Sequence, residues 1–266
     1  MSDELVHLDI DHGVATITLD SPHNRNALSR QLTGELEAHL DSALADPAAR
    51  VVLLTHTGTV FCAGADLKES REANVARARG EAQPGQPGRG GLVGMVNKIW
   101  ESPKPVVARV NGAVRAGGLG LMSACDFVIM VENATMAFSE VRIGVVPAII
   151  SVVCLPRLGP VRGPELMLTG DTFTAARAAE WGFITKAVPE PELDAAVGEL
   201  LASLKKGSPQ ALAETKKMVR LVPKLSTDDA FAAMAELSAR MFASPEAREG
   251  MTAFAEKRQP SWAQES

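Results

Sequence analysis

The chain opens on strict alternation. Leu5, His7 and Asp9 interleave with Val6, Leu8 and Ile10, and Val14, Thr16 and Thr18 interleave with Ala15, Ile17 and Leu19. A period of two sends successive side chains to opposite faces, so the pattern predicts strands over 4–10 and 13–19. Asp11-His12-Gly13 between them is hairpin-like. Residues 21–27 (SPHNRNA) read as loop. The period then lengthens: Leu32, Leu36, Leu40 and Leu44 share one stripe, Ser29 suits the cap, and Pro47 lies beyond the end. A helix to about residue 45 follows.

An apolar run, Val51 to Thr55, predicts a buried strand, and a Gly-containing turn leads into Phe61–Asp66. Residues 80–91 (GEAQPGQPGRGG) read as mobile. Next come a helix near 92–101 ending before Pro103, a strand 105–110, a helix from about 117 to 124 and a strand 126–131. After residue 190 strand patterns stop. Ser208-Pro209 and Ser244-Pro245 each set a cap before proline at the first helical position. Helices near 209–221, 227–243 and 245–258 are expected. The division is an α/β core over 1–200 and a helical region over 201–266.

Composition narrows the chemistry. The 266 residues are 46% apolar and 22% charged, with net charge −5, ordinary for a globular chain with a sizeable core. An acidic balance gives no footprint for nucleic acid or anionic membrane. Three cysteines, Cys62, Cys125 and Cys154, make no disulfide framework and suit a reducing compartment. No basic or apolar leader and no spanning run is seen, so a soluble cytoplasmic protein is expected. The five histidines, at 7, 12, 23, 39 and 56, lack zinc-type spacing, and no metal is expected. There is no phosphate loop and no nucleophile elbow. Gly117, Gly118 and Gly120 have the wrong spacing for a dinucleotide fingerprint.

Three segments carry candidate chemistry. In Phe61-Cys62-Ala63-Gly64-Ala65-Asp66-Leu67-Lys68, small residues let a ligand approach backbone N–H donors; a plain strand-to-helix turn explains it equally. In Val110-Asn111-Gly112 to Gly117-Gly118-Leu119-Gly120, the unpaired amides of a helix start can hold developing negative charge; close helix packing is the alternative. In Phe138–Pro147, Glu140 sits between apolar stretches, where a carboxyl is harder to ionise and can move protons near neutrality; a salt bridge to Arg142 or another cation is the alternative.

Together, NRNALS (24–29), FCAGADLKE (61–69), VNGAVRAGGLGLMSACD (110–126), SEVRIGVVPA (139–148) and GMTAFAEKRQPSW (250–262) resemble the crotonase (enoyl-CoA hydratase/isomerase) superfamily across nearly the whole chain. They are most similar to a bacterial branch that includes methylglutaconyl-CoA hydratase-like enzymes. The resemblance implies an α/β spiral of ββα units with a C-terminal helical oligomerisation region, and a homotrimer or a hexamer built as a dimer of trimers. It implies that the N–H groups of Ala65 and Gly117 form an oxyanion hole and that Glu140 is the acid/base. Arg25, Ala27, Ala63, Asp66, Leu67, Lys68, Gly118 and Gly120 would line the acyl-CoA path, and Lys257 would reach CoA phosphates. CoA is part of the substrate, and no separate cofactor is implied. Residues 70–95 would form a variable lid beside the acyl pocket.

The family's hydratases usually carry a second glutamate three residues beyond the Gly117 position; here that residue is Gly120. Hydration of a 2-enoyl-CoA is the first expectation. A Δ3,Δ2-enoyl-CoA isomerase, or another activity run by one glutamate, is the second. A non-catalytic acyl-CoA- or RNA-binding protein is the third. Arg115 replaces a usually apolar family residue; it could meet a substrate carboxylate, but a surface or salt-bridged arginine is the simpler reading.

Overall fold

The computed structural model describes residues 4–80 and 91–264. Its strands among these residues are β1 (Val6–Asp11), β2 (Val14–Leu19), β3 (Val51–His56), β4 (Val60–Cys62), β5 (Val106–Val110), β6 (Ala113–Arg115), β7 (Phe127–Val131), β8 (Thr135–Ala137), β9 (Phe173–Thr174) and β10 (Lys186–Val188). Its α-helices are α1 (Arg30–Ala45), α2 (Leu67–Ala78), α3 (Gly91–Glu101), α4 (Gly117–Ala124), α5 (Ala148–Thr169), α6 (Ala175–Glu180), α7 (Leu193–Lys205), α8 (Pro209–Leu221), α9 (Thr227–Phe242) and α10 (Pro245–Ala255).

The expected hairpin forms. Asp11 pairs with Val14, and His12 (φ 45°) and Gly13 (φ 79°) make its two-residue turn. Positive φ at both positions matches the right-handed twist of the strands. A six-stranded sheet runs β1-β2-β3-β5-β7-β10, parallel from β2 onward, and a smaller sheet runs β4-β6-β8-β9. The plan repeats along the chain. A long strand (β3, β5, β7) in the large sheet passes to a short strand (β4, β6, β8) in the small one, and then into helix. This is the α/β spiral of ββα units.

Each long strand is buried on both faces, as parallel sheets require. Val52 and Leu54 of β3 join the core shared with α1, α3, α4 and α5, whereas Val51 and Leu53 pack with Leu193, Ala196 and Val197 of α7. β5 and β7 split the same way. From α8 onward the buried side chains are few: Lys216, Ser244 and Ala253. Lys216 and Arg220 both pair with Asp126 at 2.7 Å, and the Arg220 guanidinium lies 3.8 Å over the Trp100 ring. The helical region is therefore joined to the core by charge as well as by packing.

Three boundaries differ from expectation. α10 ends at Ala255 rather than 258, because Lys257 turns into the left-handed region (φ 55°) and Arg258 folds back onto Glu249 and Glu256. Of the stretch read as mobile, 81–90 lies outside the described residues, but 70–78, part of the expected lid, is helix α2. The α5 segment has no sequence announcement. Pro156, Pro160 and Pro164 lie inside it, and Gly159 (φ 67°, ψ −174°) breaks it into two segments.

Candidate active site

The loop before α1 is fixed first. Asn26 is fully buried; its Oδ1 accepts from the Ser21 amide at 2.7 Å and its Nδ2 donates to Thr57 O at 3.2 Å and Val60 O at 2.8 Å. This pins residues 21–27 against the β3–β4 link. The Ala63 amide then donates to Arg25 O at 3.1 Å, and the Leu28 amide to Gly64 O at 2.8 Å. Asn24 reaches Asp66 at 3.2 Å, and Asp66 Oδ1 caps α2 by accepting from the Lys68 and Glu69 amides at 2.9 and 3.1 Å. The turn 63–66 thus rests on Arg25–Leu28 and opens a helix, with Asp66 as its cap.

The second turn touches the first. Gly64 has φ +87°, and a Cβ there would lie 2.8 Å from Ala116 Cβ and 3.2 Å from the Gly117 nitrogen. Only glycine permits both that backbone and that approach. Ala116 is itself held at φ 47°, ψ −121°, an unfavourable conformation for a residue with a side chain. Its amide donates to Ala137 O at 3.1 Å. Among the described residues, neither the Ala65 nor the Gly117 amide donates a hydrogen bond to the protein. For Gly117 this is the ordinary state of the first residue of a helix.

Glu140 lies three residues beyond Ala137, in a 3-10 turn over Ser139–Ile143 on which α5 packs. It is 8% exposed, and its Oε2 is buried without a hydrogen-bond partner. Burial raises its pKa from the usual carboxylate value. The salt bridge to Arg142 does not form: Arg142 instead pairs with Asp171 and donates to Thr169 O. Arg115 is not on the open surface, and among the described residues it makes no ion pair. It is half-buried, donating to Val114 O at 2.9 Å and to Thr135 O and Oγ1 at 2.6 and 2.8 Å.

The remaining expected residues separate. Arg25, Ala65, Leu67 and Lys68 are exposed near the first turn, and Ala63 is half-buried. Ala27 is buried in the loop. Gly118 and Gly120 are buried in packing: a Cβ on Gly118 would lie 2.7 Å from Cys62 Cβ, and one on Gly120 would lie 2.4 Å from Ile150 Cγ2. Close packing accounts for both glycines. Lys257 is exposed just past the end of α10. Leu28, Leu92 and Ile150, which adjoin Gly117 and Gly120, went unnoticed in the sequence, where nothing local marks them.

Burial pushes the thiols of Cys62, Cys125 and Cys154 up to about 12, so none supplies a nucleophile near neutral pH. Among the described residues no group of three or more His, Cys, Asp or Glu side chains could hold a metal ion. The site is a pair of adjoining main-chain turns with a desolvated carboxyl on the segment tied to one of them.

The sequence profile of the Enoyl-CoA hydratase/isomerase family matches residues 9–265, and the chain belongs to that family. It is 35% identical to a carnitinyl-CoA dehydratase of Proteus mirabilis over 263 residues, 97% of each chain. A crystal structure of an enoyl-CoA hydratase from Mycobacterium avium is 43% identical, covering 98% of this chain and 99% of that one, with a TM-score of 0.71. That of an enoyl-CoA hydratase/isomerase from Marinobacter aquaeolei is 29% identical with a TM-score of 0.87, covering 98% and 100%.

Proposed function

We propose that the chain hydrates a 2-enoyl-CoA thioester. The observation that carries the reading is Glu140 Oε2, buried without a partner on a segment hydrogen-bonded to the turn that presents Gly117. In this reading the thioester oxygen sits between the amides of Ala65 and Gly117. Ionised Glu140 takes a proton from water as the water oxygen adds to C3, and charge moves onto the thioester oxygen. Glu140 then returns the proton to C2. Two fixed donors stabilise the enolate, and losing one such donor costs roughly 2.7–4 kcal/mol of barrier. Exposed Arg25 and Lys68 suit the phosphate end of CoA.

The test is loss of conjugated-thioester absorbance with crotonyl-CoA, and its dependence on Glu140. A wild-type chain inert toward every enoyl-CoA offered would end the proposal. Because Gly120 leaves one carboxyl, Δ3,Δ2-isomerisation is the second reading. Migration of a 3-enoyl double bond without ¹⁸O uptake from labelled water would select it.

The assembly belongs to the same proposal. Phe231, Phe242 and Phe254 on the C-terminal helices are 74, 70 and 86% exposed, and Val152 and Leu168 on α5 are 72 and 75% exposed. Apolar surface on this scale supports a self-associated homotrimer or hexamer, which sedimentation equilibrium reads directly. Among the described residues no helix is long and apolar enough to cross a membrane. Three free, buried cysteines suit the cytoplasm.

A further inference from the structure

We infer that Arg115 is a positioning residue: its guanidinium bridges β6 and β8 and so sets where Glu140 stands relative to the Gly117 amide. What that placement does for turnover rests on the hydratase reading; the placement itself does not. Glu140 stands in the 3-10 turn that follows β8, and β8 is three residues long. Its ladder holds two pairs with β6, Val114↔Met136 and Arg115↔Ala137, and two with β9, Thr135↔Thr174 and Met136↔Phe173. A ladder that short supplies few main-chain bonds to fix the strand.

The Arg115 side chain adds to them. Its Nη1 donates to Val114 O at 2.9 Å and to Thr135 O at 2.6 Å, and its Nη2 donates to Thr135 Oγ1 at 2.8 Å. A planar fork that grips one residue at two atoms fixes orientation as well as distance, and a charged donor bonds roughly twice as strongly as a neutral one. Arg115 is half-buried and makes no ion pair among the described residues, so these donors serve oxygens of β6 and β8 and no carboxylate. The next residue completes the hold, since the Ala116 amide donates to Ala137 O at 3.1 Å. Thus β8 is clamped at its first residue by the Arg115 side chain and at its last by the Ala116 main chain. Gly117 directly follows one side of this clamp, and the Glu140 turn follows the other.

Glu140 itself reports whether the clamp holds. Burial raises its pKa. On α5, which packs on its turn, Cys154 is pushed up to about 12, Arg157 donates to Cys125 O and Asp126 O, and Arg162 is paired with Glu165. Arg142, on the turn itself, is held by Asp171. α4 and β8 carry no titratable side chain. The raised value therefore measures exclusion of water, and it falls when the turn loosens.

The experiment compares wild type with Arg115→Met, which keeps an unbranched stem without the donors, Arg115→Lys, which keeps the charge, and Thr135→Val, which removes only the Oγ1 acceptor. One readout is kcat and KM with crotonyl-CoA. The other is the Glu140 pKa by ¹³C NMR of labelled glutamate, the signal being identified by its loss in Glu140→Gln. Arg115→Met should lower kcat about tenfold or more with KM within about twofold, because a misplaced group costs turnover before it costs binding. Its Glu140 pKa should fall toward the ordinary carboxylate value. Arg115→Lys should recover part of both, and Thr135→Val should move both the same way by less. A folded Arg115→Met with a lower melting temperature but unchanged kcat and unchanged Glu140 pKa would overturn the inference and leave Arg115 a staple of the sheet. Should Arg115→Met not fold, the same two readouts on Thr135→Val decide. If the wild type hydrates no enoyl-CoA, the hydratase reading fails, and the NMR readout alone decides the positioning.

Discussion

The amide of Ala116 donates to the carbonyl of Ala137 at 3.1 Å, so the turn that presents Gly117 and the segment that carries Glu140 are joined by one main-chain bond. Arg115 reinforces the joint from the side, through Thr135. The small sheet pairs β6 with β8 over only Val114↔Met136 and Arg115↔Ala137. These side-chain and main-chain bonds are thus a large part of what holds the Glu140 carboxyl in register with the helix start.

Glu140→Gln should cut kcat for hydration by on the order of 10²-fold or more, measured with crotonyl-CoA. It should also stabilise the fold at neutral pH. Burial raises the folded-state pKa of Glu140, so the folded chain holds its proton more tightly than the unfolded chain. Stability then falls as pH rises from the ordinary carboxylate value through the raised one. The Gln variant escapes that loss. Its melting temperature should exceed the wild type's at pH 8, with the gap closing near pH 4; an equal or lower value at pH 8 would show that Glu140 is solvated.

His56 makes the opposite pH dependence. It is 5% exposed, hydrogen-bonds Thr57 O through Nδ1 and accepts the Asn111 amide at Nε2, and burial lowers its pKa to about 4. A depressed histidine pKa means stability present above the unfolded value near 6.5 and lost as pH falls toward 4. The loss is roughly 3 kcal/mol. Urea unfolding of wild type and His56→Gln at pH 7 and pH 4.5 should show a steeper acid loss in the wild type.

Gly120→Ala should destabilise by about 1–3 kcal/mol through overpacking against Ile150. Ile150→Ala alone should also destabilise, by leaving a cavity. The double variant should be more stable than the sum of the two losses predicts, since each change removes the other's fault. Strict additivity in chemical denaturation would mean the two side chains do not meet.

Asp126→Ala should cost about 3–5 kcal/mol, because it removes the carboxylate shared by buried Lys216 and half-buried Arg220. Asp126 also accepts the Val106 amide at 2.8 Å. Limited proteolysis should then release the helical region before the core, whereas the wild type should resist at the same protease dose.

Much of this was readable because it is local. The Ser29 cap, whose Oγ accepts the Leu32 amide at 3.2 Å, and the Leu32, Leu36 and Leu40 stripe are properties of one helix. Glycines at strand ends marked both turns for the same reason. What stayed hidden depends on distant partners. Arg142 is two residues from Glu140, but the choice between them was made by Asp171. Gly120 reads as an empty position until Ile150 is seen to fill it. Strands of two or three residues, such as β8 and β9, are too short to show a period, and the prolines of α5 disguise its helical turns.

The ββα plan has a mechanical consequence. The first turn follows β4, the second follows β6, and the carboxyl follows β8, so successive copies of one unit each deliver one part of the candidate site. Their mutual spacing then follows the step between neighbouring layers of the spiral, together with the loop contacts that seat the first turn on Arg25–Leu28 and against Ala116. A change deep in one layer that alters that step displaces the parts relative to one another, even when it lies far from every loop of the site.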